Sequence, residues 1–125
     1  MPRFPAQPQL FDLAGFEAEA AQIAALASLA TEGPATAREL LNRISRAAAV
    51  AGEPVLPFKH ATLYAVLHEL EFAGAIVGSV WEGIPRRVYS MATQGRMWLA
   101  QAQERWRAAH LVIRAAAAPR EAATL

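Results

Sequence analysis

Between Ala61 and Gly74 the large apolar residues fall at Leu63, Val66, Leu67 and Leu70. This i, i+3, i+4, i+7 spacing predicts a helix with one buried face, closed by Gly74. The period then changes. Ile76 to Trp81 is rich in β-branched residues, Glu82-Gly83-Ile84-Pro85 carries turn chemistry, and Arg86 to Met91 returns as a second strand. Upstream, residues 17–31 predict a long helix that buries Ile23, Leu26, Ala27 and Ala30 and stops at Glu32-Gly33-Pro34. Thr36-Ala37-Arg38-Glu39 is a capping box, in which the Thr36 hydroxyl accepts from the Glu39 amide and the Glu39 side chain reaches back. It opens a helix over 37–51, with Leu40, Leu41, Ile44 and Ala48 inward and Arg38, Asn42, Ser45 and Arg46 outward. The glycine and prolines of residues 51–57 make a link, with a brief strand expected at Val55-Leu56.

The last pattern is the longest. Residues 93–118 read as one helix of about 38 Å at 1.5 Å per residue, more than a small core can cover. Trp98, Ala102, Trp106, Ala109 and Ile113 recur every three or four residues, alternating large with small as in a helix-helix seam. With Leu99 they form the expected interface of a twofold homodimer. Three prolines and no periodicity mark residues 1–9 as an arm, and Leu10 to Phe16 predicts a short helix laid on the core. The division expected is an arm at 1–16, a helix-and-hairpin domain at 17–92, a dimerisation helix at 93–118 and a tail at 119–125.

Two helices, a third helix and a hairpin with a basic tip, in that order, describe a winged helix-turn-helix: mainly α with a small β-hairpin and a long C-terminal dimerisation helix. In that arrangement the third helix enters a groove of double-stranded DNA while the hairpin grips the backbone. The candidate DNA contacts are Arg38, Lys59, His60, Thr62, Tyr64, His68, Arg86 and Arg87. Lys59 and His60 stand where a helix start favours an acidic or hydroxyl cap, a placement a docked phosphate would favour. Thr62 is the other candidate cap. Arg86 and Arg87 alternate along a strand, so one of them faces DNA.

The same residues resemble the PadR-like winged-helix regulators, named for the regulator of phenolic acid decarboxylase, over roughly residues 20–113. The motifs that carry the resemblance are Gly33-Pro34, Glu39-Leu40-Leu41, Thr62-Leu63-Tyr64, Leu70-Glu71-Phe72-Ala73-Gly74-Ala75-Ile76, Pro85-Arg86-Arg87-Val88-Tyr89 and Gly95-Arg96. Two departures stand out. Lys59-His60-Ala61 replaces the family's usual Ser-Pro-Gly, and Ala92, with Thr93 one place later, replaces its threonine cap. The resemblance also implies a ligand site, because Trp106 lies eleven residues after Gly95, where some members stack a planar aromatic small molecule between subunits.

Composition narrows the alternatives. At 125 residues the chain is one domain, and alanine, about a quarter of it, favours helix without adding bulk. Without cysteine there is no disulfide framework and no thiolate chemistry. The longest apolar run, around residues 24–30, falls far short of the ~20 residues that cross a bilayer, and no leader-like start is present, so a soluble cytoplasmic protein without a membrane partner is expected. Net charge is only +1 with pI near 8.3, so charge distribution carries more than charge total. Asp12 is the sole aspartate, no serine sits in a nucleophile elbow and no glycine-rich phosphate loop occurs, which argues against an enzyme. His60, His68 and His110 lack an i, i+4 pairing, so neither a metal nor another cofactor is expected. The reading is a sequence-specific regulator, a repressor, acting as a homodimer on a pseudo-palindromic operator and released by a small aromatic ligand. The alternative is a winged-helix adaptor that binds protein and no DNA, with a neutral or acidic surface around Tyr64 and the hairpin.

Overall fold

The computed structural model describes residues 13–53 and 55–119. In chain order it contains α1 (Leu13–Glu32), β1 (Ala35–Thr36), α2 (Ala37–Val50), α3 (His60–Phe72), β2 (Ile76–Val80), β3 (Arg87–Met91) and α4 (Thr93–Ala117). The expected arm and the start of the short helix at Leu10 lie largely outside the described residues. Leu13 to Phe16 belong to α1, which is one continuous helix rather than a short helix followed by a long one. Its buried face is Ala21, Ala25, Leu26 and Leu29. Of the four positions expected there only Leu26 is fully buried, while Ile23, Ala27 and Ala30 pack at the rim. Two alanines at the centre let α1 lie close to its neighbours, so the tightest contact forms at its smallest residues.

The capping box at the start of α2 forms as the sequence predicts. Glu39 N donates to Thr36 Oγ1 at 3.2 Å, and Thr36 N donates to Glu39 Oε1 at 3.0 Å. Thr36 is 7% exposed and also belongs to β1, so its hydroxyl satisfies a helix end inside the protein. We expect Thr36→Ala to lower stability by about 1–2 kcal/mol, with Thr36→Ser recovering most of the loss. Urea titration with an unchanged m-value checks this, and an unaltered midpoint counts against the cap.

Leu63, Val66, Leu67 and Leu70 are the four buried residues of α3, matching the sequence period. The helix ends in a Schellman turn. Gly74, at φ +81°, donates to the Glu71 carbonyl and Ala75 to the Leu70 carbonyl, a conformation that suits glycine. The sheet is antiparallel with order β1-β3-β2. Ala35 pairs with Tyr89 on one side of β3, and Gly78 pairs with the same residue on the other.

The expected strand at Val55-Leu56 does not form. Val55 is exposed, and the third strand is Ala35–Thr36, which β3 recruits from the turn after α1. The link is anchored instead by Phe58, buried in the core at 5% exposure. The α1–α2 turn is held by Arg43, whose guanidinium donates to the carbonyls of Gly33 at 2.8 Å and Pro34 at 3.2 Å and pairs with Glu32 at 3.1 Å. Carbonyls of the turn that follows α1 are satisfied in this way.

The 25 residues of α4 divide into two halves. Gly95, Leu99 and Ala102 are buried within the protomer, and from Gln103 onward every described residue of the helix is exposed. Leu99 and Ala102, expected at the dimer interface, instead lie in the protomer's own interior at 7% and 0% exposure. Trp98 likewise packs against the core of its own chain. The physical reason is α1, which runs beside this stretch of α4 and occupies the stripe that the sequence offered to a second copy. Among the described residues, no helix is long and apolar enough to cross a membrane.

Candidate nucleic-acid interface

With its buried face turned inward, α3 presents Tyr64, His68 and Phe72, spaced by four, to solvent. Tyr64 is half-exposed at 47% and Phe72 is almost fully exposed. The helix starts at Lys59, an extended N-cap residue that makes no side-chain capping bond. Lys59 and His60 are both exposed at this end. Thr62 is not the cap. Its amide bonds to the Lys59 carbonyl at 3.0 Å, inside the first turn, and it is half-buried one turn before the buried Val66, at the border of the exposed face. Arg38 is exposed on the first turn of α2.

The two hairpin arginines have different surroundings. Arg86 precedes β3 and is exposed. Arg87, the first residue of β3, is engaged by Glu71 from the last turn of α3: its Nε donates to both carboxylate oxygens at 3.2 Å and its Nη2 adds a third bond. The Arg87 guanidinium holds the Glu71 carboxyl below the usual carboxylate range, and the carboxylate in turn raises Arg87. Tyr89 lies beside this pair, its hydroxyl pushed up first by burial and then by the Glu71 charge. His68, Glu71, Phe72, Arg87 and Tyr89 together line a shallow depression between α3 and the hairpin.

The Glu71 pairing was not legible from local pattern, because its partners lie sixteen residues apart on different elements. Gly78 was the available signal. A glycine inside a β-branched run marks close approach of another group, and a Cβ there would stand 2.7 Å from Glu71 Oε2 and collide with Arg87 Nε.

Trp106 lies at the far end of the molecule. Its ring meets Phe16 of α1 with centroids 5.3 Å apart and planes at 31°. Its Nε1 donates to Glu19 Oε1 at 3.0 Å, and the same oxygen accepts from Arg105. These hydrogen bonds, Arg105 first, hold the Glu19 carboxyl below its ordinary range. One turn before Trp106, Ala102 is fully buried. On the Ala109 side an open groove of about 410 Å³ is lined by Phe16, Glu19, Trp106 and Ile113 among others.

No family model matches this sequence, and no curated protein matches it. Among solved structures, the chain is similar to a transcriptional regulator from Clostridium thermocellum with a TM-score of 0.67 and 22% identity, covering 87% of this chain and 100% of that one. It also aligns with a MarR family regulator from Neisseria meningitidis with a TM-score of 0.48 and 21% identity, covering 78% of this chain and 61% of that one. The fold is a winged helix-turn-helix. In its terms α2 and α3 are the helix pair, α3 stands in the recognition-helix position, the β2–β3 hairpin is the wing and α4 is an appended rod.

Proposed function

We propose that this winged helix is a DNA-binding transcriptional regulator that acts as a homodimer on a pseudo-palindromic site and represses the gene it controls. The observation that carries the DNA reading is the recognition helix. Its start is exposed, lacks a side-chain cap and bears Lys59, and its outward face spends Tyr64 and His68 on solvent. Cations at a helix N-terminus oppose the dipole by ~0.3–1 kcal/mol unless an anion docks there. The fold likeness to a transcriptional regulator supports the same reading, and the quoted sequence motifs support a PadR-like member of that class. The adaptor alternative fits less well, because Lys59 at the start of α3 and Arg86 at the hairpin are both exposed cations.

A dimer is supported by the uncovered second half of α4, where Leu111, Val112 and Ile113 are 53%, 68% and 65% exposed. Twofold symmetry would set two recognition helices ~34 Å apart, one turn of B-DNA. Ligand release has weaker support. The groove beside Trp106 offers an apolar wall, yet Phe16 and Glu19 of the same chain already occupy the ring face and the indole nitrogen.

Selection from a random duplex library, followed by salt titration on the selected site, tests the function. Lys59→Ala should weaken binding to all sequences and flatten the slope of log K against log[salt] by about 0.9 per protomer, the value of one phosphate contact. Changes at Tyr64 or His68 should alter which sequence is selected. Failure to enrich any sequence, together with a flat salt dependence, overturns the reading.

A further inference from the structure

Resting on the DNA reading, we propose that Glu71 is a positioning residue that seats Arg87 over Gly78, locks the wing to the recognition helix and withholds Arg87 from DNA, leaving Arg86 as the wing's phosphate contact.

The geometry is specific to this corner. In the β2–β3 register Arg87 lies opposite Val80, and Gly78 lies opposite Tyr89, so Arg87 and Gly78 are diagonal neighbours on the same face of the hairpin. That face turns toward α3, with Ile76 buried at its base. Any side chain at position 78 would fill the space where the guanidinium and carboxylate meet. Glu71 projects into that space from the last turn of α3 and takes three hydrogen bonds from one arginine. The Glu71 side chain is 24% exposed and that of Arg87 51%, and Nε and Nη2 of the guanidinium are both directed at the carboxylate.

An exposed ion pair adds little to stability as a rule. Its effect here is on position and charge. A cation neutralised by a carboxylate releases no counterion when DNA arrives, whereas a free arginine does. The two adjacent arginines of the wing thus carry separate tasks: Arg86 is available at the tip, and Arg87 ties the wing to the helix that enters the groove. A rigid link also fixes how far the wing reaches beyond α3, which sets the register between groove and backbone contacts.

The test measures the salt slope on a 30-base-pair random-sequence duplex for the full chain and its variants. Arg86→Ala should flatten the slope by about 0.9 per protomer. Arg87→Ala should leave the slope at the wild-type value while weakening binding by the same factor at every salt concentration. Glu71→Gln should steepen the slope by up to about 0.9 per protomer, and the gain should vanish in Glu71→Gln/Arg87→Ala. Gly78→Ala should steepen it as well, although it changes no charge, because its Cβ displaces the flexible ends of the pair. Exchange of the Arg87 Nε–H, slow in the wild type and fast in Glu71→Gln, reads the clamp without DNA. If Arg87→Ala flattens the slope as Arg86→Ala does, or Gly78→Ala and Glu71→Gln leave it unchanged, the assignment is overturned while the DNA reading stands. A wild-type protein with no salt-dependent binding overturns both.

Discussion

Replacing Gly95 with alanine is expected to destabilise the protein by about 1–2 kcal/mol, although the same change in an exposed helix gains about 1 kcal/mol. Gly95 lies in the first turn of α4, buried against the end of the α3–β2 turn. A Cβ there would drive into the Ala75 carbonyl oxygen and stand 3.0 Å from its carbon and 3.2 Å from Met91 Sδ. The methionine can move, but the carbonyl cannot. It accepts the Ala92 amide at 3.1 Å, and the Ala75 amide is itself bound to Leu70 in the turn that ends α3. Overpacking costs about 1–3 kcal/mol, and a backbone carbonyl that cannot give puts this site at about 2–3, which outweighs the gain in helix propensity. Gly95→Val should lose about 3 kcal/mol or more, while Gln94→Ala, next door and exposed, should be close to neutral. Urea unfolding of the three variants decides the matter, and a Gly95→Ala protein as stable as the wild type would show that α4 can lift from Ala75 at no cost.

That contact also explains why one part of the fold was legible in sequence and another was not. The face of α3, the capping box at Thr36 and the hairpin each lie within one contiguous stretch of the chain, so their period and turn chemistry appear in the chain itself. The sequence marks Gly95 as a motif position, yet its reason is the Ala75 carbonyl twenty residues earlier. Strand β1 is two residues long and is a strand only because β3 pairs with it. Phe58 looks like any linker aromatic until the fold folds it inward. The candidate site divides the same way. Lys59, Tyr64 and His68 follow from helix phase, whereas the Glu71 to Arg87 clamp joins elements that only the tertiary fold brings together. The first part of the stripe on α4 is taken up within the chain for a related reason. Spacing identified a stripe that packs but could not say whether the partner was another molecule or α1, and α1 claims the stripe through Trp106.

Ile113→Asp is therefore expected to convert the proposed dimer to a folded monomer, and it is a cleaner test than any change at Trp106. Losing the Trp106 ring would strip Phe16 and Glu19 of their contacts within one chain, so a change in assembly could follow from a change in fold. Ile113 is 65% exposed in the protomer, and an aspartate there costs the isolated chain little. In a twofold interface the substitution appears twice, and each buried, unpaired carboxylate costs several kcal/mol, on the order of 3 or more. Two such penalties weaken association by about ten-thousand-fold or more. Sedimentation should show the shift while far-UV circular dichroism keeps its helical signal. DNA binding should change in the same experiment: the variant should lose affinity for a two-half-site duplex and bind a single half-site as the wild type does, since α3 and the wing are untouched. A dimer that persists in Ile113→Asp places the interface outside the second half of α4, and a monomeric wild type removes the symmetric operator from the proposal.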